Sequence, residues 1–324
     1  MDSRLRLILR PLARRGSGVH WLPLLAGTLW GSVFPALQFA LRELSPYQIA
    51  LLRPLLGTIS LGVVLWFQGG IPLPSSRGVW LRLAVLATTG GALFWLLQTV
   101  AVSASTPVNV AFLVSTYPAL LAAAAPIVLK ERRHWGAIVG SGVALLGAYL
   151  IISKGHLLDL FASQTLRGDL LALTASLLFG AYLLLSRVWA TKLRMTTHGL
   201  SLSVFALSVP PLALIAAREP FPANLSPVTI AALLWLGIMT TTVAYLAVNA
   251  GMAAGNAARS AVHLLIIPLV AAVLSWLIFG TTLTPVQWIG GGLILSGILW
   301  SNRGEAPADR RPTRLRPRPR AERP

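Results

Sequence analysis

The sequence predicts an all-α integral membrane protein of ten transmembrane helices, arranged as two inverted five-helix repeats. Three observations lead there. Of 324 residues, 55% are hydrophobic and only 11% charged, with a mean hydropathy of +0.72, whereas a soluble domain carries about 25% charged residues. Two stretches, Val79 to Ile151 and Thr229 to Ser301, match without a gap at a constant offset of 150 residues: Leu96 falls on Leu246, Ala111 on Ala261, Pro118 on Pro268, Gly140 on Gly290 and Gly147 on Gly297. Finally, the basic residues gather in alternate connections between apolar segments, as the positive-inside rule requires of a multispan chain.

The spans follow in order: Trp21 to Leu41, Tyr47 to Phe67, Val79 to Val102, Pro107 to Leu129 and Trp135 to Ile152, then Leu170 to Ala190, Leu200 to Ala217, Thr229 to Ala250, Ala257 to Phe279 and Val286 to Ser301. Most approach the roughly 20 residues that carry a helix across about 30 Å of hydrocarbon. The seventh is interrupted by Pro210 and Pro211, and the tenth is short and Gly-rich. Trp30-Gly31 in the first span falls near Phe179-Gly180 in the sixth, which extends the duplication over both halves. Five spans per copy is an odd number, so the second copy enters the membrane in the opposite sense to the first.

With the N-terminus in the cytoplasm, 21 of the 27 Lys and Arg residues lie inside, from Arg4 to Arg15, at Arg77 and Arg82, around Lys130 and Arg187, and from Arg303 to Arg323. Only Arg42, Lys154, Arg167 and Arg218 lie outside, with Arg53 and Arg259 within spans. This partition accounts for the net charge of +18 without nucleic acid as a partner. It places both termini in the cytoplasm of a bacterium, with the protein in the inner membrane.

The division into units is 1–20 as a basic cytoplasmic segment, 21–153 as the first repeat, 154–168 as a connecting loop, 169–301 as the second repeat and 302–324 as an Arg/Pro-rich tail. The tail cannot bury enough apolar surface to offset ordering and is expected to be disordered. The first apolar segment lacks a small-x-small cleavage site and reads as a retained anchor. Cysteine is absent, which removes disulfides, thiol catalysis and thiolate metal sites.

The residues at this point resemble a known family. Trp30-Gly31-Ser32, Ser45-Pro46 followed by Leu52-Arg53, Pro118, Lys130-Glu131 and the Gly140/Gly147 pair, with Pro268, Gly290 and Gly297 repeating in the second copy, are similar to the EamA-type transporters of the drug/metabolite transporter superfamily. The resemblance covers about Trp21 to Ser301. It implies ten helices in two inverted bundles, alternating access, and small metabolites, often amino acids, as substrates. Two departures stand out: Thr281 follows Gly280 where the family usually has a glutamate, and Ser203 stands where the first copy has Arg53.

Polar residues inside spans mark pathways or helix contacts because they are costly in hydrocarbon. All nine carboxylates, Asp169 among them, lie in tails, loops or at span ends, so a buried mid-span acid of the kind a cation/proton exchanger needs is not expected, and neither is a metal site or other cofactor. Arg53, about 10 Å from the outer end of its span at 1.5 Å per residue, is either a ligand for a substrate carboxylate or phosphate or a structural residue that snorkels outward or caps carbonyls of neighbouring helices. His263 is the one histidine well inside a span and the candidate for proton coupling, or else a packing residue. Trp30, Phe179, Tyr117, Pro118 and Pro268 count to mid-span, where inverted-repeat transporters place their sites. Trp95 and Tyr245 are repeat equivalents, with Gln98, Thr99 and Asn249 one turn further along. The substrate-binding set is therefore Trp30, Arg53, Trp95, Gln98, Tyr117, Phe179, Tyr245 and Asn249, with Pro118 and Pro268 as kink or gating positions. The glycines of the fifth and tenth spans read as braces or as a homodimer seam.

The expected function is a secondary-active transporter, an exporter of a small neutral, zwitterionic or anionic organic metabolite such as an amino acid, whose partners are that metabolite and membrane lipid. The alternatives are a nucleotide-sugar or phosphorylated-sugar exchanger, or a non-transporting membrane protein. An enzyme is not expected, because no nucleophile with a His/Asp partner and no phosphate loop is visible.

Overall fold

The computed structural model describes residues 21–70, 76–128, 135–153, 164–254 and 264–302. Among them the chain is helical, without strands, in ten successive units. α1 (Leu22–Ala40) is two pieces that meet at Ser32, whose hydroxyl turns back to the Leu29 carbonyl. α2 (Pro46–Phe67) opens on a capping box between Ser45 and Gln48 with proline at the first position, the arrangement that satisfies otherwise orphaned amides. α3 (Arg77–Ala104) and α4 (Pro107–Val114 and Tyr117–Val128) follow, then α5 (Trp135–Ser153). The second half has α6 (Leu166–Leu193), α7 (Thr197–Ala216), α8 (Pro227–Ala254), α9 (Ile266–Phe279) and α10 (Pro285–Asn302).

Six of these, α1, α2, α3, α6, α7 and α8, are long and apolar enough to cross a membrane, while α4, α5, α9 and α10 provide shorter apolar helices. α7 runs unbroken through Pro210 and Pro211, contrary to the interruption read from the sequence. Neighbouring helices keep such a stretch helical despite two missing amide donors.

The packing has the pairing that a two-fold axis between inverted repeats demands. α1 packs on α8 and α9, and its equivalent α6 packs on α3 and α4; α2 meets α7, α4 meets α9, and α5 meets α10. Individual residues obey the same rule. A Cβ on Gly297 would stand 2.5 Å from the Gly140 carbonyl oxygen, and one on Gly290 would stand 2.8 Å from that of Gly147, so each member of one glycine pair faces the non-equivalent member of the other. Gly31 sits against the Ile267 carbonyl and Gly180 against that of Tyr117, and Ile267 and Tyr117 are themselves repeat equivalents. The α5/α10 glycines thus close a seam within one chain.

Two helices carry a widened π turn. In α3 it spans Thr88–Ala92 and in α8 Trp235–Val243; at the repeat offset the first falls on residues 238–242, inside the second. A π segment adds a residue to the turn and shifts every following side chain around the helix axis. The residues displaced in this way, Phe94, Trp95 and Gln98 in α3 and Tyr245 in α8, are the ones that reach the centre of the molecule.

Candidate functional site

A cavity of about 50 Å³ lies at the meeting point of α1, α2, α3, α4, α6, α8 and α9. Its wall includes Trp30, Arg53, Trp95, Gln98, Tyr117, Phe179 and Tyr245, seven of the eight residues the sequence nominates, together with Val33, Phe34, Phe94, Val114, Ser115 and Ile267. Asn249 is not part of the lining, and its Nδ2 is buried without a hydrogen-bond partner. Thr99 is also turned away, donating to the Trp95 carbonyl at 2.8 Å. His263 and Arg259 lie outside the described residues.

The walls are two aromatic groups. Trp30 meets Tyr245 edge-on at 5.4 Å, Tyr245 meets Phe205 at 5.1 Å, and Phe205 meets Trp95 at 5.4 Å. In the second group, Phe179 stacks on Phe94 at 4.6 Å and takes Tyr117 edge-on at 5.0 Å. Edge-to-face and offset contacts of this kind hold rings in fixed orientations. Trp30 is further pinned by its indole N–H, which donates to the Thr240 carbonyl in the α8 π turn at 3.0 Å.

Arg53 is the one charged residue in the lining, and it is only 3% exposed. Its Nε donates to Thr241 Oγ1 at 3.2 Å and its Nη1 to Gln98 Oε1 at 2.9 Å, and the guanidinium carbon lies 5.7 Å from the centre of the Trp95 ring. Both hydrogen-bond partners are neutral, and among the described residues no carboxylate joins them. A guanidinium has five N–H donors, so Nη2 and one Nη1 hydrogen remain for a ligand. Snorkelling is not what this side chain does; it is held inward by α3 and α8.

Pro118 and Pro268 do not bend continuous helices. α4 is interrupted at Ser115 and Thr116, so Pro118 is the second residue of the piece that begins at Tyr117, and Pro268 is the third residue of α9. Proline belongs in a first turn, where its missing amide has no partner to lose. The Ser115 and Thr116 hydroxyls bond back to the Ala111 and Leu113 carbonyls at 2.7 Å each.

One acid departs from the sequence reading. Asp169 stands at a span end, in the first turn of α6, yet it is fully buried. It accepts hydrogen bonds from Ser105, from Asn109 at 3.4 Å and from Thr165 at 2.8 Å, and Asn109 in turn accepts from Gln287 of α10 at 2.6 Å. A carboxylate in a helix's first turn also suits the positive end of the helix dipole. The network ties the α3–α4 connection to α6 and α10 and stands apart from the cavity lining. At the connection between α1 and α2, the Glu43 carboxylate accepts from the Ser226 amide at the start of α8 at 2.8 Å, and the Ser226 hydroxyl first, then its amide, hold the carboxyl below the ordinary 4.5.

The lining residues the sequence reading missed carry partial signals. Ile267 is the repeat equivalent of Tyr117, and Phe34 lies one turn beyond Trp30. Thr241, which holds Arg53 from outside the lining, lies 188 residues from it, with no pattern to join them.

Comparison with known proteins bears on the family and the fold. The family model of the EamA-like transporter family matches residues 16–153 and again 166–303. An "Uncharacterized transporter" of Archaeoglobus fulgidus is 28% identical over 87% of this chain and 96% of its own length. The "Probable terminal-alkyne amino-acid exporter" of Streptantibioticus cattleyicolor is 25% identical over 87% of this chain and 93% of its own. One crystal structure superposes with a TM-score of 0.64 over 89% of this chain and 98% of that one, at 18% identity, which bears on the fold alone. With two matched repeats, a helical membrane architecture and a central cavity between them, the chain belongs to the EamA-like transporter family.

Proposed function

We propose that the protein exports a small organic metabolite bearing a carboxylate, with an amino acid as the leading class, by alternating access of the central cavity to the two sides of a bacterial inner membrane. The observation that carries this reading is Arg53: a buried guanidinium with neutral partners and spare donors, at the edge of an aromatic cavity. An anion supplies what that group lacks, since a buried charge without a counter-charge costs several kcal/mol. The aromatic faces offer apolar surface to a side chain and a π face to an ammonium group. The name of the Streptantibioticus cattleyicolor relative as an amino-acid exporter supports the class. The 21-to-4 partition of basic residues supports cytoplasmic termini.

The cavity's size supports a small substrate. At about 50 Å³ it holds a few waters, each needing roughly 10–15 Å³ on this measure, and falls well short of the roughly 300–1,000 Å³ of sites for drug-sized ligands. Its walls must part to admit even an amino acid, which is what rocking of one repeat against the other supplies.

Counterflow in proteoliposomes tests the reading on the unmodified protein, using the twenty L-amino acids and the amines formed by their decarboxylation. The expected result is exchange of at least one amino acid with an apolar side chain, and none of its amine. Equal exchange of acid and amine, or robust transport of quaternary ammonium dyes, would overturn it.

A further inference from the structure

The two π turns are matched in position and unmatched in chemistry. In α8, the Thr240 and Thr241 hydroxyls both donate to the Leu236 carbonyl at 2.8 Å. For Thr241 that carbonyl is five residues back, so its side chain follows the π register itself. Thr241 Oγ1 has a second role as acceptor for Arg53 Nε at 3.2 Å. The next residue, Thr242, donates to the Gly57 carbonyl at 3.2 Å and pairs with the Ser60 hydroxyl at 2.6 Å. The widened turn of α8 is thereby fastened to α2, and one of its fastenings is the same guanidinium that faces the cavity.

In α3 the equivalent of Thr241 is Gly91, and in α7 the equivalent of Arg53 is Ser203. Gly91 has no side chain to bond, and it lies so close to α7 that a Cβ would overlap the Ser208 hydroxyl. Among the described residues, the nearest side-chain bond from α7 runs from Ser208 to the carbonyl of Ala87, the residue before this turn, at 3.1 Å. Both halves of the Arg–Thr link are present on one side of the pseudo-two-fold, and both are missing on the other.

We propose that Thr241 is a positioning residue that couples capture of an anion by Arg53 to the π turn of α8, and to that turn alone. An anion in the cavity draws the guanidinium away from Thr241 Oγ1. The hydroxyl keeps its bond to Leu236 and Thr242 keeps its bonds to Gly57 and Ser60, but the one tie between α2 and the widened turn that runs through the cavity's guanidinium is released, so α8 is loosened against α2 while α3 is not. Binding then acts on one of two equivalent hinges, which gives an otherwise symmetric scaffold a substrate-dependent asymmetry. This rests on the reading of Arg53 as the carboxylate ligand.

Amide hydrogen exchange on the full chain in lipid nanodiscs, without ligand, tests the link. Thr241→Val and Arg53→Gln each remove one end of it and should each speed exchange in residues 235–243 by about tenfold, the effect of losing one hydrogen bond from a charged donor. Exchange in residues 88–92 should stay within about twofold of wild type, a margin below the effect of one net hydrogen bond. The double variant should be no faster than the faster single one, because both changes break the same contact, and Thr241→Ser, which keeps the hydroxyl, should exchange like wild type. If Thr241→Val does not accumulate, Arg53→Gln carries the test from the other end. Unchanged exchange in residues 235–243, multiplying effects in the double variant, or equal loosening of both turns would each overturn the link. Carboxylate counterflow on the same proteins separates the two ideas. Unchanged exchange with lost transport overturns the link and leaves Arg53 as the ligand, whereas coupled exchange with wild-type transport in Arg53→Gln overturns the ligand reading and the ligand-driven step with it.

Discussion

Replacing Arg53 with glutamine removes the cavity's positive charge and keeps a polar side chain of similar reach. The two bonds to Gln98 and Thr241 leave the Nη2 hydrogens and one on Nη1 to meet an arriving carboxylate, and the Nε bond to Thr241 is the one given up as the guanidinium turns toward it. Two charge-assisted bonds at about 1.5 kcal/mol each, the low end for charged groups, amount to roughly 3 kcal/mol. At 1.4 kcal/mol per tenfold, that is about a hundredfold in apparent affinity for a carboxylate substrate. The folded protein should not suffer correspondingly, because the variant also removes a buried charge whose cost at mid-helix is about 2.5 to 3.5 kcal/mol on the insertion scale. Arg53→Lys should recover part of the loss, since the charge returns without the planar fork. The assay is counterflow normalised to folded protein, with membrane abundance measured in parallel. Wild-type affinity for the carboxylate in Arg53→Gln would refute the reasoning. A drop in folded protein with unchanged transport per molecule would make Arg53 a brace between α2, α3 and α8.

Two further predictions concern packing and titration. Gly297→Ala should destabilise the protein by roughly 1–3 kcal/mol, the usual cost of overpacking, because its Cβ would stand 2.5 Å from the Ala144 nitrogen and the Gly140 oxygen, both backbone. Gly142→Ala on α5 meets nothing within 4 Å and should be neutral or slightly stabilising; unfolding titrations of both in detergent check the contrast, and equal effects would refute the seam. Glu43→Gln should loosen the start of α8 in a pH-dependent way. The Glu43 carboxyl is lowered from 4.5 by its contact with Ser226, so its contribution is complete above that value and fades as pH falls through the depressed one. Thermal midpoints of wild type and variant should differ at neutral pH and converge in acid, and a gap that widens in acid would contradict the assignment.

Much of the architecture was legible because it is written twice. A gap-free offset carries Pro118 onto Pro268 and Gly147 onto Gly297, and counting to mid-span picks out Trp30, Tyr117 and Phe179, so helix number, inversion and the aromatic centre follow from position alone. Burial is harder to read, since it is made by partners remote in sequence. Asp169 counts as a span end, yet Ser105 and Asn109, about 60 residues earlier, enclose it. Pro210 and Pro211 read as a break by local propensity, and packing against α2 and α3 overrides that propensity. Neither π turn is visible in the periodicity, because one extra residue in a uniformly apolar helix leaves no polar face to shift out of phase.

The departures from repeat symmetry are where the sequence says most about function. A scaffold built from equivalent halves has equivalent hinges, and nothing in such symmetry prefers a full cavity to an empty one. Preference requires a group that contacts the ligand and one hinge unequally, since a ligand shifts an equilibrium only by its differential interaction with the two states. If Arg53 is the carboxylate ligand proposed above, Arg53 against Ser203 and Thr241 against Gly91 would meet that requirement in a single contact. They sit on different helices, in different repeats, and each would be idle without the other: a guanidinium facing a glycine has no hydroxyl to hold, and a threonine facing a serine has no charge to report. A swap that moves the pair, with Ser203→Arg and Gly91→Thr added while Arg53 and Thr241 are removed, should therefore transfer the exchange response from α8 to α3, provided Ser208 is cut to alanine or glycine to admit the new side chain at 91. If such a protein folds and α8 still responds, the asymmetry resides elsewhere in the bundle.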